Sequence, residues 1–153
     1  MSKAFVKEDD DASAESLPDR AISTEANLVT AEGLAQIDTM IDKLEQDHAG
    51  ATAAEDGLST ASVARDLRYW RTQRATAQLT PPGPTSNVQF GSRVTIVPRD
   101  GRRQAYRIVG IDEADPTKGR LSYLSPLAQA MINCEVGDTI DVGATQAEII
   151  EIV

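Results

Sequence analysis

The most informative segment of this chain is Ser125-Pro126-Leu127-Ala128-Gln129-Ala130-Met131-Ile132. Serine is a preferred N-cap and proline is favoured at the first helical position, so the stretch predicts a short helix. Runs rich in β-branched residues lie on both sides of it, at 105–109 and 139–142. A helix between strands in this way predicts a small sheet that packs against one helix.

Five strand-like runs surround this helix. They are Val94–Val97, Ala105–Val109, Arg120–Leu124, Thr139–Val142 and Ala147–Val153. Asp100-Gly101 is a strong turn pair and predicts that the first two runs form a β-hairpin. The C-terminal part is therefore predicted to be an antiparallel sheet with one short helix.

The preceding part of the chain has helical periodicity. After a candidate cap at Thr30, one apolar stripe consists of Leu34, Ile37, Ile41 and Leu44. After Ser59 or Thr60, a second stripe consists of Val63, Leu67, Trp70 and Ala77. The small residues at 49–57 read as the turn between them. Two narrow stripes are buried most simply in an antiparallel αα-hairpin, whose arms of about 18 residues would be roughly 27 Å long.

Composition divides the chain into four predicted segments in an α+β protein. Residues 1–28 are acidic and poor in branched apolar residues, which predicts disorder. Residues 29–79 form the helical hairpin. Residues 80–87 contain Pro81-Pro82-Gly83-Pro84, which we expect to end the second helix and to make a stiff linker. Residues 88–153 form the sheet domain.

The charge and the single cysteine restrict the functional classes. A formal net charge of −9 over 153 residues argues against direct, sequence-specific DNA binding. It suits a partner with a basic groove, although a solvated acidic face is the commoner explanation. Cys134 has no second cysteine to pair with, and its apolar neighbours predict a small buried hydrophobe. No apolar run approaches the ~20 residues of a membrane span, so we expect a cytoplasmic protein without membrane association.

Four phrases in one order resemble the C-terminal domain of the GreA/GreB transcript-cleavage factors: Gly91–Thr95, Tyr106–Asp115, Ser125–Ala128 and Val136–Asp138. Leu28–Leu34 also resembles the phrase that opens the coiled coil of that family. The resemblance implies an FKBP-like domain behind a coiled coil that enters the secondary channel of bacterial RNA polymerase. It further implies a monomeric regulator of transcription elongation that docks on the rim of the channel through Ser125, Pro126, Leu127 and Ala128.

The tip of the hairpin departs from the family pattern, which resembles Gly-Asp-Leu-x-Glu-Asn. The nearest phrase here is Asp56-Gly57-Leu58-Ser59-Thr60-Ala61, where glycine and threonine take the two acidic positions. Glu55 and Asp56 are then the candidate tip acids that could help to hold Mg²⁺ in the polymerase active site during cleavage of backtracked RNA. The arms also look about two turns shorter than the family pattern, which would withdraw the tip by roughly 10 Å.

Three functional hypotheses therefore stay open. The protein could assist cleavage by the polymerase, compete for or obstruct the secondary channel without cleavage, or act as an adaptor similar to the nucleoside diphosphate kinase regulators. Each makes it an accessory factor with no metal or cofactor of its own.

Independent enzyme activities find little support in the residues. The FKBP-like resemblance suggests prolyl isomerisation, which needs an aromatic-lined pocket, and this region offers only Phe90, Tyr106 and Tyr123. His48 is the only histidine and lies on a polar helix end. No cysteine or second histidine stands at metal-ligand spacing from it, so we interpret it as a surface residue.

Overall fold

The computed structural model describes residues 17–153, and this part of the chain forms two compact units. The first comprises residues 17–26 and 35–76, and the second comprises residues 27–34 and 77–153. The elements are β1 (Leu28–Val29), α1 (Ala31–Ala53), α2 (Gly57–Thr76), β2 (Gln78–Leu79), β3 (Arg93–Pro98), β4 (Gln104–Val109), β5 (Arg120–Ser122), α3 (Pro126–Met131), β6 (Thr139–Val142) and β7 (Thr145–Ile152). The predicted α+β class, a helical hairpin with a sheet and one short helix, is confirmed.

The first unit is built on the antiparallel hairpin of α1 and α2. Ile37 and Leu44 from the predicted stripe of α1, and Leu67 from that of α2, are buried. Ion pairs join the exposed faces: Arg74 Nε lies 2.6 Å from Asp38 Oδ1, and Arg71 Nη2 lies 3.1 Å from Glu45 Oε1. Such exposed pairs stabilise only weakly, so the apolar stripes hold the hairpin together.

The helices are longer than the sequence predicts. The expected turn at 49–57 shrinks to residues 54–56, because α1 continues through Ala53 and α2 begins at Gly57. The alanines of this stretch are strong helix formers and outweigh the single Gly50. The arms have 23 and 20 residues, and at 1.5 Å per residue they extend about 34 and 30 Å. Prolines do not end α2 directly, since β2 intervenes.

The segment predicted to be disordered is ordered in its described part. Arg68 Nε donates to Asp19 Oδ1 over 2.6 Å, and the Arg20 guanidinium carbon lies 3.8 Å from the centroid of the Tyr69 ring. Cation–π and ionic contacts of this kind explain why residues 17–20 lie along the surface of α2. Residues 1–16 of the predicted tail lie outside the described residues.

The second unit contains a five-stranded sheet in the order β5-β4-β3-β7-β6. Its core is apolar, and α3 contributes two side chains to it, Ala128 and Met131. The buried members of the core are Val88, Phe90, Val94, Ile96, Ile108, Leu121, Tyr123, Ala128, Met131, Ile140, Ala147, Ile149 and Ile152. The β3-β4 hairpin around Gly101 is antiparallel, as predicted. The sheet is not wholly antiparallel, however, because β5 runs parallel to β4.

The parallel pair arises from the connection between the two strands. Residues 111–113 and 116–118 form short 3₁₀ turns, and Gly119 follows with φ of +71°. This ten-residue connection carries the chain back along β4, so that β5 begins with Arg120 opposite Arg107. A tight hairpin turn could not produce this parallel pairing. The sequence prediction missed the crossover because such short turns have no periodic pattern.

A second, two-stranded sheet holds the ends of the helical segment within this unit. β1 and β2 pair in parallel, with Leu28 opposite Gln78 and Val29 opposite Leu79. Two-residue strands are too short to show alternation, so the sequence did not predict them. No helix among residues 17–153 has the length and apolar character needed to cross a membrane.

Candidate functional site

The two candidate tip acids lie side by side in the turn between α1 and α2. Both Glu55 and Asp56 are exposed. Glu55 has φ of +55°, a left-handed conformation that helps the chain to reverse within three residues. The structure therefore places both carboxylates at the tip, as the sequence predicts, but on a tight turn.

Asp56 is the N-cap of α2, which corrects the prediction that Ser59 or Thr60 caps this helix. Asp56 Oδ1 accepts from the Ser59 N–H over 3.1 Å, and Asp56 Oδ2 accepts from the Ser59 hydroxyl over 2.7 Å. These hydrogen bonds from Ser59 lower the pKa of Asp56 below its ordinary value. Both oxygens of this carboxylate thus have a local role in starting the helix.

The cap limits what the tip can do with a cation. Mg²⁺ binds oxygen ligands in a demanding octahedral geometry, and each oxygen of Asp56 already accepts a hydrogen bond from Ser59, which fixes the orientation of this carboxylate. Glu55 is the tip carboxylate without a described hydrogen bond. Within residues 17–153, no three His, Cys, Asp or Glu side chains are grouped so that they could hold a metal ion.

The predicted docking residues open α3. Ser125 caps this helix by accepting from the Ala128 N–H over 3.3 Å, and Pro126 occupies its first turn, as the sequence predicts. Pro126 is exposed and Leu127 is half-buried against the core, whereas Ala128 has 0% exposure. A partner could contact Pro126 and the outer edge of Leu127, while Ala128 serves the core. The docking role itself stays a prediction.

Sequence reasoning missed a buried carboxylate, Glu113, in the second unit. Only 8% of Glu113 is exposed. Its Oε2 accepts from the N–H groups of Thr30 and Gly110, each over 3.1 Å, and its Oε1 accepts a very short hydrogen bond from the Thr30 hydroxyl. Thr30 in turn caps α1 through the Gly33 N–H, at 3.0 Å, so its predicted cap role is confirmed.

Two glycines leave room for this carboxylate. A Cβ atom on Gly33 would overlap the Glu113 carboxyl group, and one on Gly110 would lie 2.5 Å from the Leu28 carbonyl oxygen. The two glycines were the available signal in the sequence, but neither one identifies Glu113 as the group that it accommodates. We refer to Thr30, Gly33, Gly110 and Glu113 as the Glu113 clasp.

The remaining candidates have structural surroundings. Phe90 and Tyr123 pack edge to face with ring centroids 5.6 Å apart and are buried in the core, and the Tyr106 hydroxyl donates to Gln104 Oε1 over 2.8 Å. These three aromatic residues do not line a common pocket among the described cavities. His48 is half-buried on α1. Cys134 is half-buried rather than fully buried, and desolvation raises the pKa of its thiol.

Comparisons with known proteins agree on one family. The family model described as "Transcription elongation factor, GreA/GreB, C-term" matches residues 83–153. The transcription elongation factor GreA of Vibrio parahaemolyticus is 34% identical over 110 residues, which cover 71% of this chain and 69% of that protein. GreA of Sinorhizobium medicae is 48% identical over 60 residues, or 39% of this chain and 38% of that protein. The matched region thus spans less than half the length of the first curated relatives that the chain matches.

Solved structures give a weaker likeness. The GreA/GreB factor of Nitrosomonas europaea has a TM-score of 0.42 at 17% identity, covering 83% of this chain and 98% of that one. GreA factor homolog 1 of Thermus thermophilus has a TM-score of 0.42 at 16% identity, covering 84% of this chain and 99% of that one.

Proposed function

Since this chain belongs to the GreA/GreB family, we propose that it is a transcription elongation regulator that binds RNA polymerase at the secondary channel. The match to relatives named as transcription elongation factors, at 34% identity over 110 residues, carries the proposal. The helical hairpin enters the channel with residues 54–56 foremost. The exposed start of α3 contacts the rim.

The tip favours occupancy of the channel without cleavage of RNA. A cleavage factor must offer carboxylate oxygens to a second Mg²⁺ and to the attacking water. Hydrogen bonds from Ser59 hold both oxygens of Asp56 at the start of α2, so turning this carboxylate towards a cation would cost the helix its cap. Glu55 is then the tip carboxylate without a described hydrogen bond, and one carboxylate offers a cation fewer oxygen ligands than a pair. We therefore favour a channel competitor over a cleavage factor.

Stalled, backtracked polymerase complexes separate these two modes. Purified protein is added with Mg²⁺, and both shortening of the RNA and association of the protein with polymerase are measured. We expect association, with RNA cleavage no faster than in polymerase alone. Accelerated cleavage that a Glu55→Ala and Asp56→Ala double variant abolishes would overturn the competitor assignment. Absence of association would overturn the polymerase proposal itself.

The docking contact needs a variant that keeps α3 folded. Pro126→Glu changes an exposed position at the start of the helix, where a negative charge is favourable to the helix dipole. It should weaken association with polymerase while the melting temperature stays unchanged. Ala144→Glu, which adds the same charge at an exposed turn between β6 and β7, is the matched control. Equal affinities for the two variants would contradict docking through α3.

A further inference from the structure

Three arginines form a row across the outer face of the five-stranded sheet. Arg93 on β3 lies opposite Arg107 on β4, and Arg107 lies opposite Arg120 on β5. The residues that follow them, Val94, Ile108 and Leu121, are all buried in the core. Because successive side chains of a strand point to opposite faces, the three arginines share the face away from the core.

Lys118 adds a fourth positive charge beside the row. It ends the 3₁₀ turn that precedes β5. We call Arg93, Arg107, Lys118 and Arg120 the basic row. Together with Ala105, Tyr106 and Gly119 they line a groove of about 250 Å³.

The local acids do not neutralise the basic row. Glu32 pairs with Arg107, Oε2 to Nη2 over 3.0 Å, and Asp115 lies 3.9 Å from the Lys118 ammonium nitrogen. Asp115 also interacts electrostatically with Arg120, so two acids face four basic side chains, and Arg93 has no ion pair among residues 17–153. Like charges at directly paired positions of a sheet destabilise it, so an arrangement of this kind gains stability from a bound anion.

Arg107 is also incompletely satisfied. Its side chain is 20% exposed, and its Nε atom is buried without a hydrogen-bond partner, although Nη2 is paired with Glu32. A buried donor that lacks a partner costs roughly 1–3 kcal/mol. An acceptor brought into the groove could remove part of that cost.

We propose that the basic row binds a compact ligand with two linked phosphate groups, of the pyrophosphate or nucleoside diphosphate type. Guanidinium groups match phosphate oxygens in bidentate pairs. Neighbouring strands are about 4.8 Å apart, so the row spans roughly 10 Å, within reach of two linked phosphates. This inference does not depend on polymerase binding.

The surroundings favour a compact ligand over a nucleic-acid strand. The sheet continues past β3 to β7, where Glu151 lies opposite Thr95 on the outer face. The positive surface therefore ends one strand beyond Arg93. A long polyanion that bound the basic row would extend beyond it onto acidic surface, where like charges repel, since the net charge of the chain is −9.

Titration calorimetry with pyrophosphate at low ionic strength tests the proposal. We expect binding that weakens with added salt and becomes at least about tenfold weaker in Arg120→Gln, the loss expected for one charge-assisted hydrogen-bonding group. Arg120→Lys should lose less affinity for pyrophosphate, because lysine keeps the positive charge although it lacks the bidentate hydrogen-bonding geometry of the guanidinium group. Arg102→Gln is the matched control, since Arg102 is exposed in the β3-β4 turn at the far end of both strands.

Four results would overturn the assignment. They are no heat of binding at millimolar pyrophosphate, equal affinities for Arg120→Gln and Arg102→Gln, tighter binding of an oligoglutamate peptide than of pyrophosphate, and affinity that rises with the length of an RNA oligonucleotide. Thermal melts of each variant show whether the sheet is intact. If Arg120→Gln is unfolded, Arg93→Gln at the exposed end of the row provides the same test.

Discussion

Replacing Gly33 with alanine should destabilise this protein even though alanine is the better helix former. The new Cβ atom would overlap the carboxyl group of Glu113, which therefore has to move. Moving it disturbs three hydrogen bonds, from the Thr30 N–H, the Thr30 hydroxyl and the Gly110 N–H. Thr30 is 3% exposed and Glu113 is 8% exposed, so water cannot readily replace the lost partners.

The size of the effect follows from those three bonds. A buried donor left without its partner costs roughly 1–3 kcal/mol. Partial rearrangement of the Glu113 side chain and the helix propensity of alanine, worth about 1 kcal/mol, both reduce the total. We expect a net loss of about 2–5 kcal/mol in the free energy of unfolding. For a chain of this length that loss lowers the melting temperature by roughly 5–15 °C.

Thermal unfolding followed by circular dichroism measures this shift, and Gly50→Ala is the control. Gly50 lies in the same helix, and a Cβ atom there would meet nothing within 4 Å. Its replacement should raise stability by about 0.5–1 kcal/mol. In a Glu113→Ala background, Gly33→Ala should lose most of its cost, because the overlapping group is gone. If Gly33→Ala melts no lower than Gly50→Ala, the Glu113 clasp does not hold the start of α1.

Further changes probe single groups. Asp56→Ala should melt below Asp56→Asn, because asparagine keeps the cap of α2 and alanine removes it; equal melting temperatures would exclude the cap. Since the folded-state pKa of Asp56 is lowered by Ser59, its contribution is complete above the unfolded value of about 3.9 and is lost as pH falls through the folded value. The difference between native protein and Asp56→Ala should therefore shrink below about pH 4, and a constant difference down to pH 2 would refute this. Ser125→Ala should cost about 1 kcal/mol of stability and Ser125→Asp almost none, as urea unfolding would show. Because desolvation raises the pKa of the Cys134 thiol, iodoacetamide should label the native protein at pH 7 more slowly than the unfolded protein; equal rates would contradict its half-buried position.

The sheet domain was readable from the sequence because its signals are local and mutually consistent. Strands β3 and β4 flank the strong turn pair Asp100-Gly101, and Ser125-Pro126 combines two independent helix-start preferences. Both features appear where the pattern predicts them. The direction of β5 was not readable, because it depends on the path of a connection rather than on the residues of the strand.

The tip and the Glu113 clasp show why other features were missed. Ser59 and Thr60 are residue types that often cap helices, but α2 begins earlier, at Gly57. Asp56 is therefore the residue whose side chain accepts a hydrogen bond from the first-turn N–H of Ser59. Glutamate is a residue type that is rarely buried, and in a short turn it gives no sign of burial until its distant partner Thr30 is known. Such pairings, separated by 83 residues, are properties of the fold and not of a window of sequence.

The parallel pairing of β1 with β2 gives the chain a modular length. Residues 35–76 interrupt a unit made of 27–34 and 77–153, and the two ends of that interruption are fastened next to each other. Matched turns could therefore be added to or removed from α1 and α2 without disturbing a single strand pairing of the five-stranded sheet. The lengths of α1 and α2 are therefore free to vary by insertion and deletion. Related chains can have hairpins of different length on the same sheet domain, as long as the β1-β2 pairing is kept.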